Sequence, residues 1–185
     1  MDSGAKRRHK TAGCEVGRSI PQRQKTHGGV LNASRRLQRV TVDEHIGQKN
    51  AHHRPAVYDT FAPHESALEV IPSHAQFGGL NGIGNFYQAV GAAFPDFKAN
   101  VWGEYDLPGC SVREIAVQGT HKNEWCGVAG TGRRVKFHAC VLYLFGKDDT
   151  SGKLLAGRLY FDHETVMKQI NGQAEAANVP EFGDR

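Results

Sequence analysis

Two hydrophobic periods follow one another along this chain. Between residues 81 and 94 the apolar positions are Ile83, Phe86, Tyr87, Val90 and Phe94. Steps of three and four place them on one face of a helix. Asn81 is a suitable N-cap and Pro95 a stop. Upstream, Pro55 fits the first turn of a shorter helix that carries Val57 and Phe61 on one side. The more polar stretch 41–50 predicts a weakly amphipathic helix. Beyond Pro95 the period falls to two. Residues 97–105, 111–121, 134–145 and 154–162 read as strands, set apart by turn clusters at 106–109, 130–132 and 147–152. Residues 67–71 predict one more short strand. A last helix at 163–170 puts Val166 and Ile170 on one face. Helices first and strands afterwards predict an α+β domain, with helices packed on one side of a curved antiparallel sheet.

Charge divides the chain where the pattern does. Residues 1–36 hold nine Lys and Arg against two acids, whereas the remainder is net negative. The first 36 residues are also poor in bulky apolar side chains, so they predict a disordered basic arm. The domain proper is expected at 37–172, with a loose tail at 173–185. The run Lys6-Arg7-Arg8-His9-Lys10 suits an anionic surface, a localisation signal or an organellar leader. With the basic charge confined to the arm, specific nucleic-acid binding by the domain is not expected. No apolar stretch spans a membrane. Cys14, Cys110, Cys126 and Cys140 form no C-x-x-C pair, which predicts reduced thiols and a cytoplasmic setting.

Several words in the body stand in a recognisable order: Asn50-Ala-His52, Ala93-Phe-Pro-Asp-Phe97, Gly119-Thr-His121 with Trp125 and Gly127, Thr131-Gly-Arg-Arg-Val135, and Leu159-Tyr-Phe-Asp162 followed by Thr165-Val-Met-Lys-Gln169. Together they resemble the SnoaL-like family of polyketide and ester cyclases, within the nuclear-transport-factor-2-like fold. The resemblance runs from about residue 40 to 172. It implies a cone, or cystatin-like roll: a bent antiparallel sheet wrapped by about three helices, with a pocket for a small hydrophobic molecule. It also implies a homodimer through the outer sheet face and chemistry without a cofactor. The expected activity is acid/base chemistry on a hydrophobic carbonyl compound in secondary-metabolite biosynthesis, as a cyclase, isomerase or lyase. A non-catalytic ligand-binding or protein-interaction domain of the same fold is the alternative, because fold does not fix function.

The candidate chemistry centres on Asp162, which stands where the family's cyclases carry an acid/base aspartate. Removal of a proton beside a carbonyl needs such a base in an apolar setting. Asp162 also precedes a helix and is a natural N-cap; the two roles compete for one carboxylate. Tyr160 shares its strand face. His121 and His138 are the other polar candidates, against structural roles in a loop and on the sheet surface. Tyr58, Phe61, Phe86, Tyr87, Trp125 and Tyr143 are the candidates for pocket lining, against plain core packing. His52, His53, His64 and His74 lack metal-ligand spacing, and no metal or other cofactor is expected. The glycines at 78–84 lack the βαβ context of a nucleotide site.

Overall fold

The computed structural model describes residues 28–146 and 151–176. The expected arm up to residue 27, most of the 147–152 turn and the last part of the tail lie outside the described residues. The first helix, α1, runs Gly28–Asn50 and so takes in residues 28–36, which the charge pattern had assigned to the arm. Neither Pro nor Gly interrupts the chain between Val30 and Ile46, and Ala, Leu, Arg and Gln in that stretch are strong helix formers. The basic residues there belong to a solvated helix surface. Arg39, for example, is ion-paired with Glu104 and Asp43.

A short helix α2 (Arg54–Asp59) carries Pro55 in its first turn. Strands β1 (Ala67–Val70) and β2 (Ala75–Gly78) form a hairpin through a 3-10 turn. The second of these was not anticipated. Helix α3 spans Gly79–Ala93 and its cap is Gly78. Asn81, expected as the N-cap, lies inside the first turn. The start is set instead by the hairpin, with Gly79 N–H donating to Ser66 O at 2.7 Å. Strands β3 (Lys98–Leu107), β4 (Cys110–Thr120), β5 (Arg134–Phe145) and β6 (Leu154–Phe161) follow, and α4 (His163–Ile170) closes the series.

The six strands form one curved open sheet in the order β2-β1-β6-β5-β4-β3. Every neighbouring pair is antiparallel except β1 and β6, which run parallel. One sheet face is largely apolar along its centre: Ile115 and Val117 from β4 stand beside Ala139 and Phe137 of β5. This inner face packs against Val42 and Ile46 of α1 and Ile83 of α3. The apolar β5 set of Val135, Phe137, Ala139, Val141, Tyr143 and Phe145 therefore faces inward. Its alternate, with His138 and Cys140, faces out. A register shift at Trp102 in β3 leaves that ring near His138 on the outer face, with centroids 6.2 Å apart.

Candidate functional site

Between the inner sheet face and the helices lies a cavity of about 320 Å³, at the lower end of what a small-molecule site needs. Its walls are apolar: Phe86, Tyr87 and Val90 from α3, Ile115 and Val117 from β4, Phe137 from β5, and Leu159 and Phe161 from β6. Trp125 closes one side and touches Phe94 edge-on. Gly119 allows β4 to pass close to Phe94, where a Cβ would meet that side chain at 3.3 Å. The exposed His52 and Arg54 mark the rim. Among the described residues no carboxylate lines the cavity.

Helices α1 and α3 contribute Lys49 and Tyr87 to this cavity, with buried His45 behind them. On α1 the stripe Gln38, Thr41, Val42, His45 and Ile46 is buried at helical spacing. His45 is fully buried. Its Nδ1 lies 2.8 Å from Thr60 Oγ1 and its Nε2 lies 3.0 Å from the Tyr87 hydroxyl. Thr60 Oγ1 donates its own hydrogen to Val57 O at 2.6 Å. The threonine oxygen is then an acceptor for His45 Nδ1–H, so Nε2 is unprotonated and accepts from Tyr87 O–H. This tautomer is assigned from the hydrogen-bond network. Burial, and then the neighbouring Lys49, hold the His45 imidazole well below its ordinary pKa. Burial also drives the Tyr87 phenol well above its own, with Tyr143 and Tyr58 adding to the shift. The neutral pair is thereby held in place, and the Tyr87 oxygen, its hydrogen directed at His45, keeps lone pairs able to accept a further hydrogen bond.

Lys49 follows one turn after His45 and also lines the cavity. Its Nζ lies 5.3 Å from the ring centre of Tyr87 and 5.7 Å from that of Phe97. Burial lowers its pKa to about 8, since a cation is poorly solvated there. The helix end that carries it is clamped. Asn50 Nδ2 donates to Ala99 O, and Ala99 N–H donates to Asn50 Oδ1, both at 2.8 Å. This amide pairing extends the β3 edge and fixes where Lys49 enters the cavity.

The residues expected from sequence divide clearly. Phe86, Tyr87 and Trp125 line the cavity. Phe61 and Tyr143 sit in the core behind it, each with its ring edge-on to His45. Tyr58 packs beside Gly84 of α3, outside the lining. Asp162 is exposed and caps α4: one oxygen accepts from Thr165 N–H at 3.1 Å and the other from the Thr165 hydroxyl at 2.5 Å. These bonds lower its pKa, opposite to the change an apolar pocket would cause. Its carboxylate is engaged at the start of α4, and Asp162 is not among the residues that line the cavity. Tyr160 and His138 lie on the outer sheet face. His121 is buried outside the lining, with Nδ1 3.1 Å from Thr131 Oγ1 and its ring against Phe94. Burial lowers its pKa. Sequence reasoning missed His45 and Lys49. The signal was present, because both are ionisable residues at helical spacing from Val42 and Ile46.

A curved six-stranded sheet that encloses an apolar cavity beneath its helices is the ketosteroid isomerase-like, or nuclear-transport-factor-2-like, fold. Within that class, the model of the SnoaL-like polyketide cyclase family matches residues 50–170, and the chain belongs to this family. A provisionally assigned SnoaL-like polyketide cyclase from Jannaschia sp. CCS1 superposes with a TM-score of 0.66 at 17% identity, over 73% of this chain and 92% of that one. IdmH from Streptomyces antibioticus, provisionally a polyketide cyclase, gives 0.61 at 18% identity over 72% and 98%. AclR from Streptomyces galilaeus, provisionally a hydroxylase, gives 0.62 at 17% over 73% and 96%. These likenesses establish the fold. No functionally curated protein matches the chain.

Proposed function

We propose that the protein is a cofactor-free enzyme that moves a proton beside the carbonyl group of a small hydrophobic compound, in the manner of a cyclase or isomerase. The observation that carries this reading is the meeting of Tyr87, backed by buried His45, with Lys49 in one largely apolar cavity. The Tyr87 oxygen receives the α-proton while its own hydrogen passes to His45 Nε2. The imidazole holds that proton only in passing, because its surroundings favour the neutral form. Lys49, as an ammonium ion in a water-poor site, stabilises the enolate oxygen. Exchange of α-hydrogens in deuterated buffer, followed by NMR across a panel of hydrophobic ketones, tests the reading. Tyr87→Phe is expected to slow exchange by about a hundredfold, the scale of losing one group at a developing charge. Ketone binding without exchange would instead support the second reading, a binding protein, which the lack of a carboxylate in the lining favours.

Three further elements belong to this proposal. A biosynthetic role fits the family, and a genomic neighbourhood without biosynthetic genes would argue against it. Cys110, Cys126 and Cys140 are free thiols, in keeping with a reducing cytoplasm, which fractionation of the source cells would check. Among the described residues no helix is long and apolar enough to cross a membrane. The outer sheet face is the proposed seat of a homodimer, since it leaves Tyr105, Leu107 and Tyr160 exposed.

A further inference from the structure

The proposed acid/base chemistry needs only a positive charge from Lys49. Its surroundings suit a second use. Lys49 is half-buried against a largely apolar cavity, and among the described residues no carboxylate lines that cavity to hold the amine in its charged form. The titratable groups around it are His45 on its own helix, Tyr87 on α3, and His52 and Arg54 at the rim. None of these is a carboxylate that could pair with the Lys49 ammonium. The aromatic faces of Tyr87 and Phe97 flank the amine, and the Asn50 clamp holds its backbone. The amine thus stands at the edge of an apolar cavity that a small hydrophobic molecule could fill.

We propose that Lys49 is a covalent site for aldehydes and ketones, forming an iminium (Schiff-base) linkage with a small hydrophobic carbonyl compound. This inference rests on the acid/base reading and deepens it. The neutral amine adds its lone pair to the carbonyl carbon, and one N–H proton moves to the oxygen to give a carbinolamine. The C–O bond then breaks, and the oxygen leaves as water after taking a second proton from solvent at the rim. What remains is a cationic C=N bond to Nζ. The charge draws electrons from the adjacent carbon, so an α-proton leaves more readily, and Tyr87, which lines the same cavity, is the group proposed to receive it. Hydrolysis by the reverse steps returns the amine. Burial of Lys49 brings its pKa to about 8, so near pH 8 about half of the amine is in the nucleophilic form, against well under one per cent for an ordinary lysine.

The test is reductive trapping. The full chain is incubated with benzaldehyde or cinnamaldehyde and sodium cyanoborohydride, then mapped by peptide mass spectrometry. The expected result is one dominant adduct on Lys49, absent from Lys49→Met and Lys49→Arg. Its rate should rise with pH to half its maximum near 8, whereas surface lysines react appreciably only at higher pH. Tyr87→Phe should still be trapped but should lose α-hydrogen exchange. Circular dichroism and melting curves establish that the variants are folded, and two replacements of different size guard against one that is not. Adducts spread over surface lysines, at equal yield in the wild type and in a folded Lys49 variant, would overturn the proposal. Exchange without trapping would remove the covalent step and leave the acid/base reading intact. Trapping without exchange would remove the acid/base reading and leave the covalent site.

Discussion

Asp162 shows how a single side chain is claimed by its nearest geometry. It ends β6 and precedes α4, so two unpaired N–H groups of the new helix lie within reach of its carboxylate. Thr165 adds its hydroxyl, and both oxygens are engaged. Asp162→Ala should therefore lower stability by about 1 kcal/mol, as for other N-cap losses, whereas Asp162→Asn should cost little, since Asn caps as well as Asp. Urea denaturation of the two variants measures the difference. Ligand binding and α-hydrogen exchange should stay at the wild-type level in both. A folded Asp162→Asn that loses exchange would return the catalytic role to this aspartate.

At the scale of the element, α1 unites the polar parts of the site. Its buried stripe carries His45 and Lys49 one turn apart, and its last residue binds the first turn of β3 through two hydrogen bonds. Those bonds satisfy the backbone of Ala99, whose side chain is buried. In Asn50→Ala the N–H and C=O of Ala99 lose both partners, which should cost about 1–3 kcal/mol. Trapping at Lys49 should also slow, because the end of α1 is freed. Asn50→Asp keeps the acceptor and loses the donor, so it should fall between. Denaturation midpoints and adduct yields together check this. An unchanged midpoint in Asn50→Ala would show that the clamp contributes nothing.

At the scale of the whole molecule, the curved sheet separates two environments. The inner face and the helices enclose the cavity. The outer face carries Val112, Leu142 and Leu144 half-buried, with the exposed aromatics toward its margins. Contact between two such faces would bury this surface and leave both cavities open at their rims. Leu142→Arg is expected to convert a dimer into a monomer in sedimentation velocity runs while α-hydrogen exchange persists. A wild-type chain that sediments as a monomer at assay concentrations would refute the dimer.

The amino-acid sequence by itself determined the elements and the family. Alternation gave β5 and the helical period gave α4, each with the limits the structure shows, because both signals arise from local geometry repeated over many residues. Phe86 and Tyr87 in the cavity wall were legible from the same helical period, whereas Trp125, in the loop after β4, was marked only by the family resemblance. The parallel pairing of β1 with β6 was not, since it joins segments far apart in the chain. The length of α1 was also hidden: a basic surface on a helix and a basic disordered arm have much the same composition. The polar site was decided only in three dimensions. His45 becomes a tyrosine partner because Thr60 and Tyr87, from separate segments, close on its two ring nitrogens. Lys49 becomes a weakly basic amine because aromatic side chains of α3 and of the turn before β3 remove its water. Burial and hydrogen-bond direction set the chemistry of an ionisable group, and both depend on distant residues brought together by the fold.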